Sequence, residues 1–175
     1  MTVRANKPAF NVREKLKELA GRDKNHRAFI LLGVRSGRTN ESVSSGNQYT
    51  ISYDDVLQGD ASLWDTTGYY FKCPRNGHYK VDADWQLNQV PANGTWAFNA
   101  NIFVGTETSF GSAYWGTYES HPNTNSNNGY TKAGVHGTIY CTAGQCIRLR
   151  MYANASFIIE YSSSDIRHRC SIVEL

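Results

Sequence analysis

The sequence lacks the motifs of the common enzyme classes. It has no Gly-x-Ser-x-Gly elbow, no phosphate loop and no His-Glu-x-x-His pair, and its five histidines are scattered along the chain. The four cysteines have no Cys-x-x-Cys spacing, which disfavours zinc and favours buried free thiols. No His/Glu cluster supports a cupin-like metalloenzyme. We therefore predict a protein that is not an enzyme and has no cofactor.

Long apolar runs are missing as well. No run approaches membrane-spanning length, and MTVRANKPAF has basic residues without the apolar segment of a signal peptide. These absences predict a chain that is made in a cytoplasm and does not span a membrane. No Gly-X-Y tract is present either, which excludes a collagen-like stalk.

Positive charge is concentrated at the N-terminus. Residues 1–27 hold 8 Lys or Arg against 3 Asp or Glu, a net charge of +5, whereas the remaining 148 residues hold 10 against 12, a net charge of −2. We interpret residues 1–27 as a basic arm. Charge alone leaves its partner open among nucleic acid, an anionic membrane and an acidic protein surface, and a merely soluble terminus is the alternative.

The arm also carries a helix signal. Asn11 stands where an N-cap belongs, and Glu14 follows it at the spacing of a capping box. Val12, Leu16 and Leu19 recur at helical spacing. A helix of about ten residues is marginal alone in water, so we expect it to pack against its own domain, another copy or another protein.

From residue 28 onward the sequence has the pattern of an all-β protein. Short runs rich in aromatic and β-branched residues alternate with Gly, Asn, Ser and Thr. Residues 28–34 are almost continuously apolar, which predicts a strand buried on both faces. Further strands are predicted over 49–56, 95–104, 130–141, 146–153, 156–161 and 170–175. Roughly eight to ten strands of this kind are typical of a two-sheet jelly roll.

The stretch 65–87 gives the strongest local signal. Two strand-like segments flank a Pro/Arg/Asn/Gly cluster, which predicts a β-hairpin with positive φ angles in its turn. After the turn every second residue is apolar: Tyr79, Val81, Ala83, Trp85 and Leu87. The residues between them are polar: Lys80, Asp82, Asp84 and Gln86. We predict one buried face and one wet face.

The wet face raises the question of a metal. Asp82 and Asp84 lie two residues apart on it, and a loop carboxylate such as Asp54 or Asp55 would complete a cation site. Calcium takes roughly six to eight oxygen ligands, and only some of them can be named here, so a solvated strand face is the preferred interpretation and no metal is predicted. His136 is likewise interpreted as a structural or surface residue.

The segment 105–129 differs from the rest. It is long and rich in Gly, Ser, Thr and Asn, which predicts a loop, and loops of this length are usually functional or mobile. It contains four aromatic residues: Phe110, Tyr114, Trp115 and Tyr118. Such rings stack on sugars and also anchor protein interfaces. Both a glycan site and a subunit interface remain open.

Several of these pieces resemble the globular heads of the C1q and tumour-necrosis-factor superfamily. The stretch DTTGYYFKCP at 65–74, followed by Gly77 and Tyr79, is similar to the strand pair at the centre of that jelly roll. Further pieces follow in the same order: Ala28 and Phe29, ISYDDV at 51–56, the segment 137–149 and the terminal Leu175. The resemblance covers roughly 27–175. It implies a two-sheet antiparallel jelly roll over 28–175 that forms a homotrimer and buries aromatic surface between subunits.

The arm resembles a different class of protein. NKPAFNVREKLKEL, residues 6–19, is similar to the N-terminal adaptors of structural proteins in tailed phages of aquatic bacteria. The resemblance implies a virion protein, made in the host cytoplasm, whose residues 1–25 dock on a phage capsid, portal or tail protein rather than on nucleic acid or a membrane. The expected docking residues are Phe10, Val12, Arg13, Leu16, Lys17 and Leu19.

Two positions on the virion remain open. The protein is either a head decoration or head fibre, or a tail-tip protein that recognises a host-surface glycan. Its small size favours the head, because a tail fibre usually needs a long shaft.

Overall fold

The computed structural model describes residues 27–34, 38–90, 94–123, 129–161 and 168–175, with the backbone alone for 89, 90, 94–96, 112–123 and 129–131. The predicted helix of the arm and all six expected docking residues lie outside the described residues.

The described residues form thirteen strands and one turn of 3₁₀ helix, Ala61–Leu63. The strands are β1 (Phe29–Gly33), β2 (Glu41–Val43), β3 (Gln48–Thr50), β4 (Asp55–Gly59), β5 (Trp64–Asp65), β6 (Tyr70–Lys72), β7 (Gly77–Val90), β8 (Gly94–Gly105), β9 (Phe110–Asn123), β10 (Gly129–Cys141), β11 (Cys146–Ala153), β12 (Phe157–Ile159) and β13 (Arg169–Glu174). The number exceeds the predicted eight to ten because several strands have three residues or fewer. In this part of the chain no helix has the length and apolar character needed to cross a membrane.

The strands form two antiparallel sheets. In sheet A, β7 pairs with β10 on one side and with β13 and β12 on the other, and the sheet continues through β1 to β4 and through β12 to β2. In sheet B, β11 lies between β8 on one side and β6 and β3 on the other, with β9 and β5 at the edges. The sheets pack face to face around one core of buried residues. One contact across this core is the hydrogen bond from the Trp85 indole N–H of sheet A to Met151 Sδ of sheet B, at 3.2 Å.

Strand β7 confirms the predicted alternation. Its inward residues are all 0% exposed: Tyr79, Val81, Ala83, Trp85 and Leu87. On the other face Lys80, Asp82 and Asp84 are exposed or half-buried. Gln86 is an exception, since it is only 6% exposed. Its buried amide group is satisfied by a hydrogen bond that it donates to Glu160 Oε2 at 2.8 Å.

The predicted hairpin over 65–87 is wrong. Strand β6 belongs to sheet B and β7 belongs to sheet A, so the turn 73–76 crosses between the sheets. No residue of this turn has a positive φ angle. The turn between β10 and β11 fixes this crossing through two backbone hydrogen bonds. The Cys73 N–H donates to the Gln145 carbonyl, and the Cys73 carbonyl accepts from the Gly144 N–H, both at 2.8 Å. A Pro/Asn/Gly cluster indicates a turn but not which sheet the next strand joins.

The strand predicted over 49–56 is likewise divided between the sheets. Its first part is β3 in sheet B and its last residues open β4 in sheet A. The crossing segment buries Ile51, Ser52 and Tyr53. The Tyr53 carbonyl accepts the Trp64 indole N–H at 3.0 Å, which anchors the crossing to the core.

The four cysteines are free and buried, as predicted. A hydrogen bond with Cys141 and burial raise the pKa of Cys73. Burial raises the pKa of Cys146 to about 11 and also raises that of Cys170. The reactive thiolate form of these three thiols is therefore scarce at neutral pH.

Glu174 ties the end of β13 to the start of β1. Arg75 Nε donates to Oε1 and Oε2 at 3.1 and 3.2 Å, and the Ala28 N–H donates to Oε2 at 2.8 Å. Burial alone would raise the pKa of Glu174, but the hydrogen bonds from Arg75 and Ala28 outweigh it, so the pKa is lowered.

We expect this carboxylate to stabilise the fold in a pH-dependent way. A lowered folded-state pKa gives a contribution that is complete above the unfolded pKa of about 4.3 and is lost as pH falls through the folded pKa. Glu174→Gln should lower the free energy of unfolding by about 1–3 kcal/mol at pH 7. The difference from wild type should shrink once the pH drops below about 4. Urea unfolding of wild type and Glu174→Gln at pH 7 and at pH 3 measures the loss of unfolding free energy and its decrease at low pH.

Glu107→Gln is the control for this prediction. Glu107 is 49% exposed in its pair with Lys72, so its loss should matter little at either pH. An equal effect of Glu174→Gln at pH 7 and pH 3 would contradict the electrostatic explanation.

Candidate functional site

The outer face of sheet A has an apolar half on β1, β4 and β13. Phe29 and Leu57 are 36% and 44% exposed, and Leu31 and Val173 are half-buried beside them. Gly33 makes room for Leu57, since a Cβ there would lie 2.9 Å from Leu57 Cδ1. The prediction that 28–34 is buried on both faces is therefore wrong for a single subunit, because one face of β1 is only partly covered.

The other half of this face, on β7 and β10, is charged. Asp82 pairs with Lys80 Nζ at 2.8 Å and with His136 Nδ1 at 3.4 Å, and His136 Nε2 lies 3.4 Å from Asp84 Oδ1. The His136 side chain is 53% exposed, so its interpretation as a surface residue is confirmed. The described residues contain no group of three or more His, Cys, Asp or Glu placed to hold a metal ion, which removes the grouping of Asp82 and Asp84 with Asp54 or Asp55 as a calcium site.

Exposed hydrophobic side chains concentrate on sheet A. Five large ones are exposed in the described part of the chain: Phe29, Leu57, Tyr140, Tyr152 and Leu175. Four of the five lie on strands of sheet A or directly after β13. We use the term sheet A face for the outward surface formed by Phe29, Leu31, Leu57, Val173, Lys80, Asp82, His136 and Tyr140. Its apolar residues lie together on β1, β4 and β13.

The outer face of sheet B has a different character. Along β11, Ile147, Leu149, Met151 and Ala153 point into the core, so Arg148, Arg150 and Tyr152 point outward. Register places Tyr70 and Phe103 beside Arg148, Thr50 and Asn101 beside Arg150, and Gln48 and Asn99 beside Tyr152. These nine residues and Phe110 define the sheet B patch.

Aromatic rings support both guanidinium groups of the patch. Arg148 Cζ lies 3.8 Å from the ring centroid of Phe110 and 5.8 Å from that of Tyr70. Arg150 Cζ lies 4.8 Å from the ring centroid of Phe103. These are cation–π distances. One face of the Phe110 ring is therefore already covered by a cation.

Neither arginine of the patch has an ion-pair partner among the described residues, although Asp65 acts on Arg148 from a distance. Burial and the neighbouring Arg150 lower the pKa of Arg148. Arg148 Nε is buried and has no hydrogen-bond partner among the described residues. Arg150 Nη1 donates to Gln48 Oε1 at 3.2 Å, but neither arginine forms an ion pair within the described part of the chain. Two neighbouring positive charges without an ion-pair partner among the described residues give the patch capacity for an anion.

The predicted loop over 105–129 is wrong for most of its length. Residues 110–123 form β9, which pairs with β8 along most of both strands. Phe110 opens β9 and joins the sheet B patch, with its ring centroid 6.2 Å from that of Tyr70. Backbone pairing places Trp115 opposite Ile102 and Tyr118 opposite Asn99. The side chains of Tyr114, Trp115 and Tyr118 lie outside the described residues, so their part in a glycan site or interface stays a prediction.

Sequence reasoning missed Arg148 and Arg150. The signal was present, because CIRLRMYA alternates charged and apolar residues and so places both arginines on one face of a strand. It also missed Leu57. A single apolar residue in a polar stretch of sequence does not show that its side chain will be exposed.

Comparison with known proteins gives the fold. No protein-family model and no curated protein matches the chain. Similar solved structures include Eiger TNF from S. frugiperda, with a TM-score of 0.58 and 10% identity over 85% of this chain and 92% of that one. Murine APRIL at pH 8.0 has a TM-score of 0.59 and 9% identity over 86% and 100% of the chains, and murine APRIL at pH 5.0 has 0.54 and 10% over the same shares. At such identity the likeness shows the fold alone: this chain is an all-β, two-sheet jelly roll of the TNF-like type.

Proposed function

We propose that this chain is a non-enzymatic homotrimeric surface protein of a bacteriophage virion, a head decoration or head fibre, anchored by residues 1–25 with its jelly roll projecting outward. The observation that carries the trimer is the sheet A face. It exposes Phe29 and Leu57 next to half-buried Leu31 and Val173. A closed ring of three subunits would cover this apolar surface, and burial of apolar area is the main force for such association.

The pattern of β1 supports this association. FILLG is apolar on both faces, yet within one subunit its outward residues Phe29 and Leu31 are exposed and half-buried, whereas the inward Ile30 and Leu32 are at 0% exposure. A strand apolar on both faces is usually covered on both. A second subunit packed against the sheet A face would bury the outward side chains of β1.

The anchor is supported by charge and sequence. The arm carries +5, which suits an acidic acceptor, whereas residues 28–175 carry only −2 and so offer it little net negative charge. Its predicted apolar stripe and its similarity to phage adaptors support an acceptor in a capsid, portal or tail protein.

Deletion of residues 1–20 tests the proposal. The truncated chain should remain a folded trimer by light scattering, with a mass close to three times that of its subunit, but should be absent from purified particles. Full-length protein expressed in the same host should be present. Incorporation of the truncated chain would overturn the anchor, and a monomer mass for the full-length protein would overturn the trimer.

A second candidate function, a tail-tip protein that recognises a host-surface glycan, is favoured by the sheet B patch. This surface combines two arginines that have no ion-pair partner among the described residues with aromatic and amide side chains on the sheet opposite the proposed subunit contact. In the trimer it would remain free for a ligand.

A further inference from the structure

We propose that the sheet B patch binds a carboxylate-bearing saccharide, with Arg148 and Arg150 as the groups that hold the carboxylate; the inference rests on the receptor-binding alternative above and names its ligand class. The two arginines lie two residues apart on one face of β11, so their Cα atoms are about 7 Å apart. Lys72, on the same sheet, is already paired with Glu107. The arginines have no such partner among the described residues.

The rings hold the guanidinium groups ready for an anion. Phe110 supports Arg148 and Phe103 supports Arg150 through their ring faces. Stacking in this manner restrains a planar guanidinium and leaves the N–H groups on its edge to donate. A carboxylate accepts two parallel N–H groups from such an edge.

The position within the sheet favours a saccharide over an acidic peptide. Strand β11 is hydrogen-bonded on both sides, to β8 and to β6 and β3, so a peptide cannot add to it as a further strand. Side chains alone must therefore make the contacts. Hydroxyl and amide groups that suit sugar hydroxyls surround the arginines: Gln48, Thr50, Asn99 and Asn101. Tyr152, 38% exposed, offers an aromatic surface for a sugar ring.

Charge, rather than stacking alone, decides the ligand. Phe110 is a candidate for stacking on a sugar or for a subunit interface, but one face of its ring lies under the Arg148 guanidinium at 3.8 Å. A neutral sugar placed on this surface offers no negative charge to the two arginines. A carboxylate on the sugar reduces their net charge from +2 to +1 and accepts their N–H groups.

Titration of the full-length protein with trigalacturonic acid at low ionic strength tests the inference, with its trimethyl ester as a matched neutral probe. We expect calorimetry to show binding of the acid that is at least 10-fold tighter than binding of the ester. Arg148→Gln and Arg150→Gln should each weaken binding of the acid by about 10-fold or more, the loss expected for a charge-assisted hydrogen bond. Lys72→Gln is the matched control and should change it less than about 3-fold.

Four results would overturn the inference: no binding of the acid, equal binding of acid and ester, equal binding of inorganic sulfate, or tighter binding of a polyglutamate peptide. Unchanged circular dichroism and trimer mass in Arg148→Gln and Arg150→Gln separate ligand loss from misfolding. Binding is measured on purified protein and virion assembly on particles. Absence of the wild-type chain from virions therefore counts against the proposed function alone, whereas absent binding in a chain that still assembles counts against this inference alone.

Discussion

Leu57→Glu is expected to convert the proposed trimer into folded monomers. Leu57 is 44% exposed and packs over Gly33 on the sheet A face, so the subunit itself tolerates a polar side chain there. In the trimer the carboxylate would enter an apolar contact without a partner. This costs at least about 2 kcal/mol at each of three equivalent contacts, which lowers the association constant by roughly 10⁴-fold or more.

Light scattering after size exclusion measures the change, over a range of protein concentrations. Tyr152→Glu is the matched control, because Tyr152 is similarly exposed at 38% but lies on sheet B. It should leave the trimer intact. If Leu57→Glu stays trimeric while Tyr152→Glu dissociates, sheet B rather than sheet A carries the interface.

The core of the sandwich was predictable because burial in a strand follows a period of two. Tyr79 to Leu87 on β7 required no knowledge of the partner strands: every second side chain points inward whichever strand lies beside it. The same period in β11 separates Leu149 from Arg148 and Arg150. The alternation within β11 does not predict which aromatic rings contact those arginines, because Phe103 and Phe110 belong to other strands.

Sheet membership was not predictable from local signals. The turn after β6 and the segment between β3 and β4 have the composition of ordinary connections, yet both cross from one sheet to the other. The choice depends on distant contacts. Arg38 is an example, because it donates to the Ser52 carbonyl at 2.9 Å and stacks 4.3 Å from the ring centroid of Tyr161. No local sequence window contains these three residues.

Strand β9 shows how pairing overrides composition. Its Gly, Pro and Asn residues are of types that are depleted in strands, which favoured a loop. Strand β8 offers a ladder from Gly94 to Gly105, and the backbone hydrogen bonds along it outweigh the local preference. The register shifts between Ile102 and Gly105 where the two strands lose regular pairing, close to Phe110. Such irregularities commonly reorient a side chain, and here Phe110 lies under Arg148.

Trp85→Ala is expected to cause the largest loss of stability of any single truncation in the core. Trp85 is 0% exposed and ranks first by volume among the fully buried side chains of the described residues. Its indole N–H donates to Met151 Sδ at 3.2 Å, so it joins the two sheets as well as filling the space between them. Truncation of a buried Trp to Ala costs about 3–5 kcal/mol. For a domain of this size the melting temperature should fall by roughly 6–20 °C.

Urea unfolding at one fixed protein concentration measures this loss, because association makes apparent stability depend on concentration. Trp85→Phe keeps a ring between the sheets and should lose less than Trp85→Ala, while Tyr152→Ala on the exposed surface should change the free energy of unfolding by no more than about 0.5 kcal/mol. A Trp85→Ala variant as stable as Tyr152→Ala would mean that the sheets do not depend on this side chain for their packing. The graded order Ala, Phe, wild type would instead show that the volume of the ring between β7 and β11, with its bond to Met151, holds the sandwich together.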